Sequence, residues 1–387
     1  MQRRSRSIVI LAVAVTAVVA GAAQSPTQPP PPPRSPEIGA DRRVTFRLRA
    51  PNAKEVLVAR EGAARLAMQR DADGVWTVTT DPLEPDYYGY SFIVDGARVL
   101  DSVNGSIKSN LQNPGSLLHI PGTGLPWETS DVPHGLVHRH TYRSATVGDQ
   151  RDFYVYTPPG YDAAAARRYP VLYLLHGMSD GADAWSSEIG RANVILDNLI
   201  AHGQAKPMVV VMPLGYGAPE ILDVRWRGGP ADPALGRRNR EVFARALLNE
   251  VLPTVEKEYR VATDRQSRAI AGLSMGGAES LSTGLNALDR FAWIGAFSSG
   301  GLPADLPATF PSLDASANGQ LRVLWIACGT EDQLITANRQ LREWLTSKGV
   351  RHTAVETPGA HTWMVWRRNL AAFAPLLFQD PSSRSSK

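Results

Sequence analysis

Apolar and polar residues alternate through Arg43–Arg49, the period of a strand with one face buried. Glu55–Ala59 repeats the pattern after the turn Pro51–Lys54. Asp71–Gly74 forms a turn before Val75–Val78, and Tyr87–Val94 runs into the hairpin turn Asp95–Gly96. Short strands with frequent turns predict a small all-β sandwich over residues 41–104. Residues 105–136 are rich in Gly, Pro and Asn and read as a linker, with Leu111–Ile120 packing between domains. The pattern then changes. Tyr169–Leu175, Arg268–Leu273, Trp293–Phe297 and Leu321–Cys328 are short, nearly continuous apolar runs, as expected of strands buried on both faces. Helical stretches such as Arg191–His202 and Asn239–Glu258 lie between them. This alternation predicts a mostly parallel sheet covered by helices on both faces, an α/β domain over 137–379. Its length is ample for one large core.

The ends of the chain carry different information. Gln2–Arg6 is basic, Ile8–Ala20 is apolar but too short to span a bilayer comfortably, and small residues follow at Ala20–Ala23. This predicts an export signal over 1–23 and a periplasmic or extracellular product with no stable membrane anchor after cleavage. Residues 24–40 form a Pro-rich spacer containing Pro29–Pro33, and 380–387 a disordered tail. The formal charge of +4 falls to +1 without Arg3, Arg4 and Arg6, and no basic stripe argues for nucleic acid. One cysteine, Cys328, excludes an intramolecular disulfide and sits inside a strand pattern, where it reads as a core residue. His134, His138 and His140 have no acidic partner at ligand spacing and are assigned to the first strand of the α/β domain, so neither metal nor cofactor is expected.

Candidate chemistry centres on Gly272-Leu-Ser-Met-Gly276, placed between an apolar strand and a run of small residues that opens a helix. A serine on such a turn projects its hydroxyl from the sheet edge, which makes Ser274 the candidate nucleophile. It needs a base and an orienting acid, which follow the serine in chain order in α/β-hydrolases. Of the two histidines beyond it, His352 opens a strand pattern and His361 lies in a loop, so His361 is the candidate base. Asp332 follows a strand and is the candidate acid, with Glu331 and then Asp305 as alternatives. Backbone N–H groups of Met275 and Met178 are the expected oxyanion donors, and His176 is read as structural. Trp185, Tyr216, Trp226 and Trp363 lie near strand ends or in loops and are candidate substrate contacts. Arg225 and Arg227 are candidates for an anionic group or simply a solvated loop.

Several ordered pieces carry a family resemblance: Tyr154–Tyr161, Leu174–Met178, Val210–Pro213, Gly272–Gly277, Ala327–Asp332 and Gly359–Trp363. Together they resemble the esterase D-like α/β-hydrolases, a group that includes carbohydrate esterase family 1, feruloyl and enterochelin esterases and mycolyltransferases. The resemblance implies an α/β-hydrolase with a mostly parallel sheet, with nucleophile, acid and base on Ser274, Asp332 and His361 and oxyanion donors on Met178 and Met275. Val44–Asp101 resembles the immunoglobulin-like modules of carbohydrate-binding family 48. Its Trp76, Tyr87, Tyr88 and Tyr90 are assigned to sugar contact or to the sandwich core. The implied activity is a serine carboxylester hydrolase acting on a feruloyl or acetyl ester of plant polysaccharide. Siderophore-ester hydrolysis, acyl transfer and an idle glycan-binding protein are the alternatives. The front module is expected to stand apart and assist polymeric substrates, or else to wall the active site.

Overall fold

The computed structural model describes residues 31–164, 166–226 and 232–379. The expected export signal, residues 24–30 of the Pro-rich spacer and the tail lie outside these residues, as does Arg227. Among the described residues no helix is long and apolar enough to cross a membrane.

The large sheet has eight strands: Leu136–Arg143, Gln150–Thr157, Val171–Leu175, Val209–Pro213, Arg268–Leu273, Trp293–Phe297, Val323–Gly329 and Thr353–Thr357. Numbered in chain order they lie 1-2-4-3-5-6-7-8 across the sheet. The first two pair antiparallel to their neighbours and the rest are parallel. This is an α/β-hydrolase architecture. The central strands are almost wholly apolar because both faces are buried, with Arg268 at the start of the fifth the charged exception. Leu172, Leu174, Ala269 and Ala271 face one core, which includes Leu196 and Leu370 from the helices Ala192–Ala201 and Trp363–Phe373. Val171, Tyr173, Leu175 and Ile270 face the other, with Phe243, Leu281 and Leu341.

The front of the chain forms two packed antiparallel sheets. Val44, Phe46, Val58, Trp76, Tyr88, Tyr90 and Phe92 fill the core between them. Trp76 is closed off by an indole N–H bond to Ala50 O (2.9 Å), and Tyr90 Oη donates to Asp101 Oδ2 (2.8 Å). The aromatic residues considered for sugar stacking are therefore core residues. Tyr87 points the other way, as strand alternation requires, and joins the hydrolase core.

Two boundaries differ from expectation: Glu37–Ile38, within the expected spacer, pairs antiparallel with Val44–Thr45 of the front sheet, and the expected linker is partly strand. Gly115–Ile120 is no linker but a strand paired along Asp86–Tyr90, and Ile107–Lys108 pairs with it in turn. Pro114 and Gly115 mask the alternation at its start, so the sequence reads as loop.

The two regions meet along the helix Trp363–Phe373. The Arg367 guanidinium is fully buried and donates to Asp86, to Ile189 O and to Tyr87 O, the last at 2.8 Å. Arg368 reaches the second Asp86 oxygen at 3.1 Å. Asp86 itself is fully buried, on a strand of the front sheet. A buried ion pair adds little over apolar packing, but removing one partner strands the other charge and costs about 3–5 kcal/mol. Asp86→Ala should therefore lower unfolding free energy by about 3–5 kcal/mol in urea titrations. A loss under 1 kcal/mol would show that the pair does not hold the two regions together.

Candidate active site

Ser274 occupies the turn between the fifth strand and the helix Met275–Asn286, with φ 51° and ψ −115°. A non-glycine residue with such backbone angles is strained, and the surroundings must hold it there. Ser274 N–H donates to Phe297 O (2.9 Å) and Gly300 N–H to Ser274 O (3.0 Å). The flanking glycines let strand and helix approach. A Cβ on Gly272 would lie 2.5 Å from Gly276 O, and one on Gly276 would lie 2.5 Å from His176 O.

His361 and Asp332 converge on the serine from two later loops. His361 Nε2 is 3.0 Å from Ser274 Oγ, and Nδ1 is 2.8 Å from Asp332 Oδ2. A carboxylate only accepts, so Nδ1 carries the proton and Nε2 is left to accept from the serine. Asp332 Oδ1 accepts from Leu334 N–H at 2.8 Å. Burial pushes the Asp332 carboxyl up, but the bonds from His361 and Leu334 N–H outweigh it and hold the group below its ordinary value. Glu331 is exposed, and Asp305 caps the short helix Leu306–Thr309.

Met275 is the first helical residue, so its N–H has no intrahelical acceptor. Met178 lies in the loop after the third strand, and neither amide meets a protein acceptor among the described residues. His176 holds that loop. Its Nδ1 donates to Gly177 O (2.8 Å), and its Nε2 accepts from Gly215 N–H (2.9 Å). Burial lowers its pKa to about 4, which keeps it neutral and this tautomer fixed. Cys328 is buried in the seventh strand, and desolvation raises its thiol to about 12.

Ser274 and His361 open onto a cavity of about 700 Å³. Met178, Leu273, Leu334, Trp363 and Trp366 give it apolar walls. Trp366 stands edge-on to the His361 ring at 4.9 Å, and Trp363 packs between Trp366 (5.4 Å) and Trp185 (5.1 Å). Of the aromatic candidates, only Trp363 lines the cavity among those whose side chains are described. Trp185 is 0% exposed with its indole N–H on Leu175 O (2.9 Å), and Tyr216 is 1% exposed with its hydroxyl on Asp180 O (2.9 Å). Each satisfies its polar atom on backbone and packs inward, so neither lines the cavity. The side chains of Arg225 and Trp226 lie outside the described residues.

Several lining residues had no sequence signal. Glu61, Lys108 and Asn110 reach the cavity from the front sheets. Asn110 Nδ2 donates to Asp180 Oδ1 (2.9 Å), and burial lifts the Asp180 carboxyl to about 7. Arg240 also lines the cavity. Behind the serine, Glu279 is fully buried. One oxygen accepts from Asn239 Nδ2 (2.9 Å), while the other meets no partner among the described residues. Burial raises its pKa well above the ordinary carboxyl value.

The Esterase family model matches residues 144–377, more than half of the chain and all three residues of the Ser274 relay. The chain belongs to the esterase family. An endo-1,4-β-xylanase/feruloyl esterase of Xylanibacter ruminicola is 30% identical over 353 residues, covering 89% of this esterase but 46% of the relative. The chain thus spans about half the length of that relative. An esterase of Mycobacterium tuberculosis is 26% identical over 337 residues, 74% of this chain and 69% of its own. Among solved structures, the ferulic acid esterase of Anaeromyces mucronatus aligns with TM-score 0.55 at 25% identity, over 65% of this chain and 93% of that one. The enterobactin esterase of Shigella flexneri aligns with TM-score 0.63 at 21% identity, over 86% and 92%, a likeness of fold.

The buried acid of this esterase gives a pH-dependent stability. Glu279 keeps its proton in the folded state at pH values where an unfolded glutamate, with pKa about 4.3, has lost it. Above that value the folded state binds more protons, so stability falls as pH rises. Glu279→Gln, which keeps the acceptor for Asn239, should match wild type near pH 4 and exceed it at pH 8 by at least ~1 kcal/mol in urea unfolding. Equal stability at both pH values would place an ionised Glu279 in the folded protein.

Proposed function

We propose that this chain is a serine carboxylester hydrolase. The observation that carries the reading is the unbroken relay from Asp332 through His361 to Ser274 at the mouth of an apolar-walled cavity. Ser274 Oγ attacks the ester carbonyl carbon as its proton passes to His361 Nε2. The carbonyl oxygen takes the electron pair and receives hydrogen bonds from Met178 and Met275 N–H. The C–O bond to the alcohol breaks as His361 returns the proton to the leaving oxygen. Water then attacks the acyl-serine, gives its proton to His361, and collapse releases the acid and restores the serine. Asp332 holds the imidazole tautomer and stabilises the imidazolium in both halves. No metal or cofactor enters these steps.

The substrate class we favour is an acyl ester of plant polysaccharide, feruloyl before acetyl. The feruloyl esterase relatives support it, as do two tryptophan edges in the cavity wall, since flat apolar rings suit a phenolic acyl group. Export belongs to the same reading, on the strength of basic Gln2–Arg6 and apolar Ile8–Ala20. Turnover of methyl ferulate, acetylated xylan and a catecholate siderophore ester by the same preparation decides the acyl group. Preference for the siderophore ester would overturn the feruloyl reading. Failure on all three and on p-nitrophenyl acetate would leave only a glycan-binding role.

Ser274→Ala should abolish turnover, a loss on the order of 10⁶ in kcat, and His361→Ala nearly the same, because the two act as a unit. Asp332→Asn should cost about 10²–10⁴. Steady-state kinetics on p-nitrophenyl acetate checks all three. Full activity in Asp332→Asn with loss in Glu331→Gln would move the acid to Glu331.

A further inference from the structure

Glu61 sits at the end of the front-sheet strand Val56–Arg60, yet its carboxylate lies among hydrolase residues. Its Oε1 accepts the N–H of Trp363 at 2.9 Å, across 302 residues of sequence. Trp363 is the first residue of the helix that follows His361, and Thr362 at the cap position makes no side-chain capping bond. A helix start leaves N–H groups unpaired and favours negative charge. Glu61 supplies both the missing acceptor and the charge from another region of the chain.

The carboxylate is itself held in place. Its Oε2 accepts from Gly89 N–H (3.2 Å) and Lys108 Nζ (3.4 Å), and Glu61 N–H donates to Gly89 O (2.8 Å). Lys108, Trp363 N–H and Gly89 N–H offset the strong upward push of burial and keep the group ionised. The next residue, Gly62 (φ +71°), brings the turn against the loop of the base, where a Cβ would stand 3.0 Å from Met364 Cε and 3.6 Å from Thr362 Cγ2. Met364 packs in turn on the core of the front sandwich.

We infer that Glu61 is a positioning residue for His361: by capping the helix at Trp363 it fixes the loop that holds the base at hydrogen-bond distance from Ser274. The front sheets are then a working part of the catalytic centre rather than an accessory. This rests on the esterase reading of the site. A displacement of about 1 Å of a reacting group costs up to ~10²-fold in rate, so the effect belongs in kcat.

The test compares Glu61→Ala, Glu61→Asp and Glu61→Gln in the full chain with p-nitrophenyl acetate. Rates are normalised to active sites titrated with paraoxon, and folding is checked by circular dichroism. Glu61→Ala should lower kcat by ~10–100-fold with KM within about twofold. Glu61→Asp keeps the charge but is one methylene short of Trp363 N–H, and should fall nearly as far. Glu61→Gln presents an amide oxygen to the same N–H but loses the charge and the acceptor for Gly89 N–H and Lys108, and its kcat should lie between that of Glu61→Ala and wild type, above that of Glu61→Asp. Should the alanine variant fail to fold, the Asp and Gln variants decide alone. Wild-type kcat in Glu61→Ala or Glu61→Asp overturns the inference, as does a Glu61→Gln enzyme as slow as Glu61→Asp. An inactive wild type overturns the esterase reading and this inference with it. An active wild type with equally active variants overturns this inference alone.

Discussion

The close approach of two backbones at Gly272 and Gly276 is the constraint on which the site depends. Strand, turn and helix pack so tightly there that an added methyl would meet carbonyl oxygen at 2.5 Å on either side. That contact forces Ser274 into φ 51° and turns its hydroxyl out of the sheet toward His361. It also brings the helix start, with its unpaired Met275 N–H, beside the loop that carries Met178. The candidate nucleophile and oxyanion donors are thus fixed by one piece of geometry, with only the candidate base and acid supplied from elsewhere.

Those two come from loops at the carboxyl edge of the sheet, and both are secured by backbone donors or neighbouring elements. Asp332 is anchored by Leu334 N–H and His361. The segment after His361 is held by a buried acid–base pair at Asp86 and Arg367 and by the Glu61 carboxylate. Asp86 and Arg367 thus place one fully buried ion pair where two regions of chain must keep register. Apolar packing alone leaves such a seam free to slide, whereas an unpaired ion there is costly.

What was legible in the sequence follows from range. Ser274 was readable because the strand, the glycines and the helix lie within a dozen residues. His361 and Asp332 were readable because each follows a strand pattern in the order the fold requires. Trp185 and Tyr216 misled because a loop position does not tell which way a ring turns, and both found backbone acceptors facing inward. The strand Gly115–Ile120 was hidden by its short length and its Pro–Gly approach. Glu61 gave no sign at all. An acidic residue after a short strand resembles any solvated turn, and its role exists only through a partner 302 residues away.

The tryptophans beside the base have a consequence of an optical kind. Trp366 stands edge-on to His361 at 4.9 Å, with Trp363 and Trp185 stacked behind it in a chain of perpendicular rings. An imidazolium quenches indole emission where a neutral imidazole does not. The emission of Trp366 is therefore sensitive to the charge of the ring beside it.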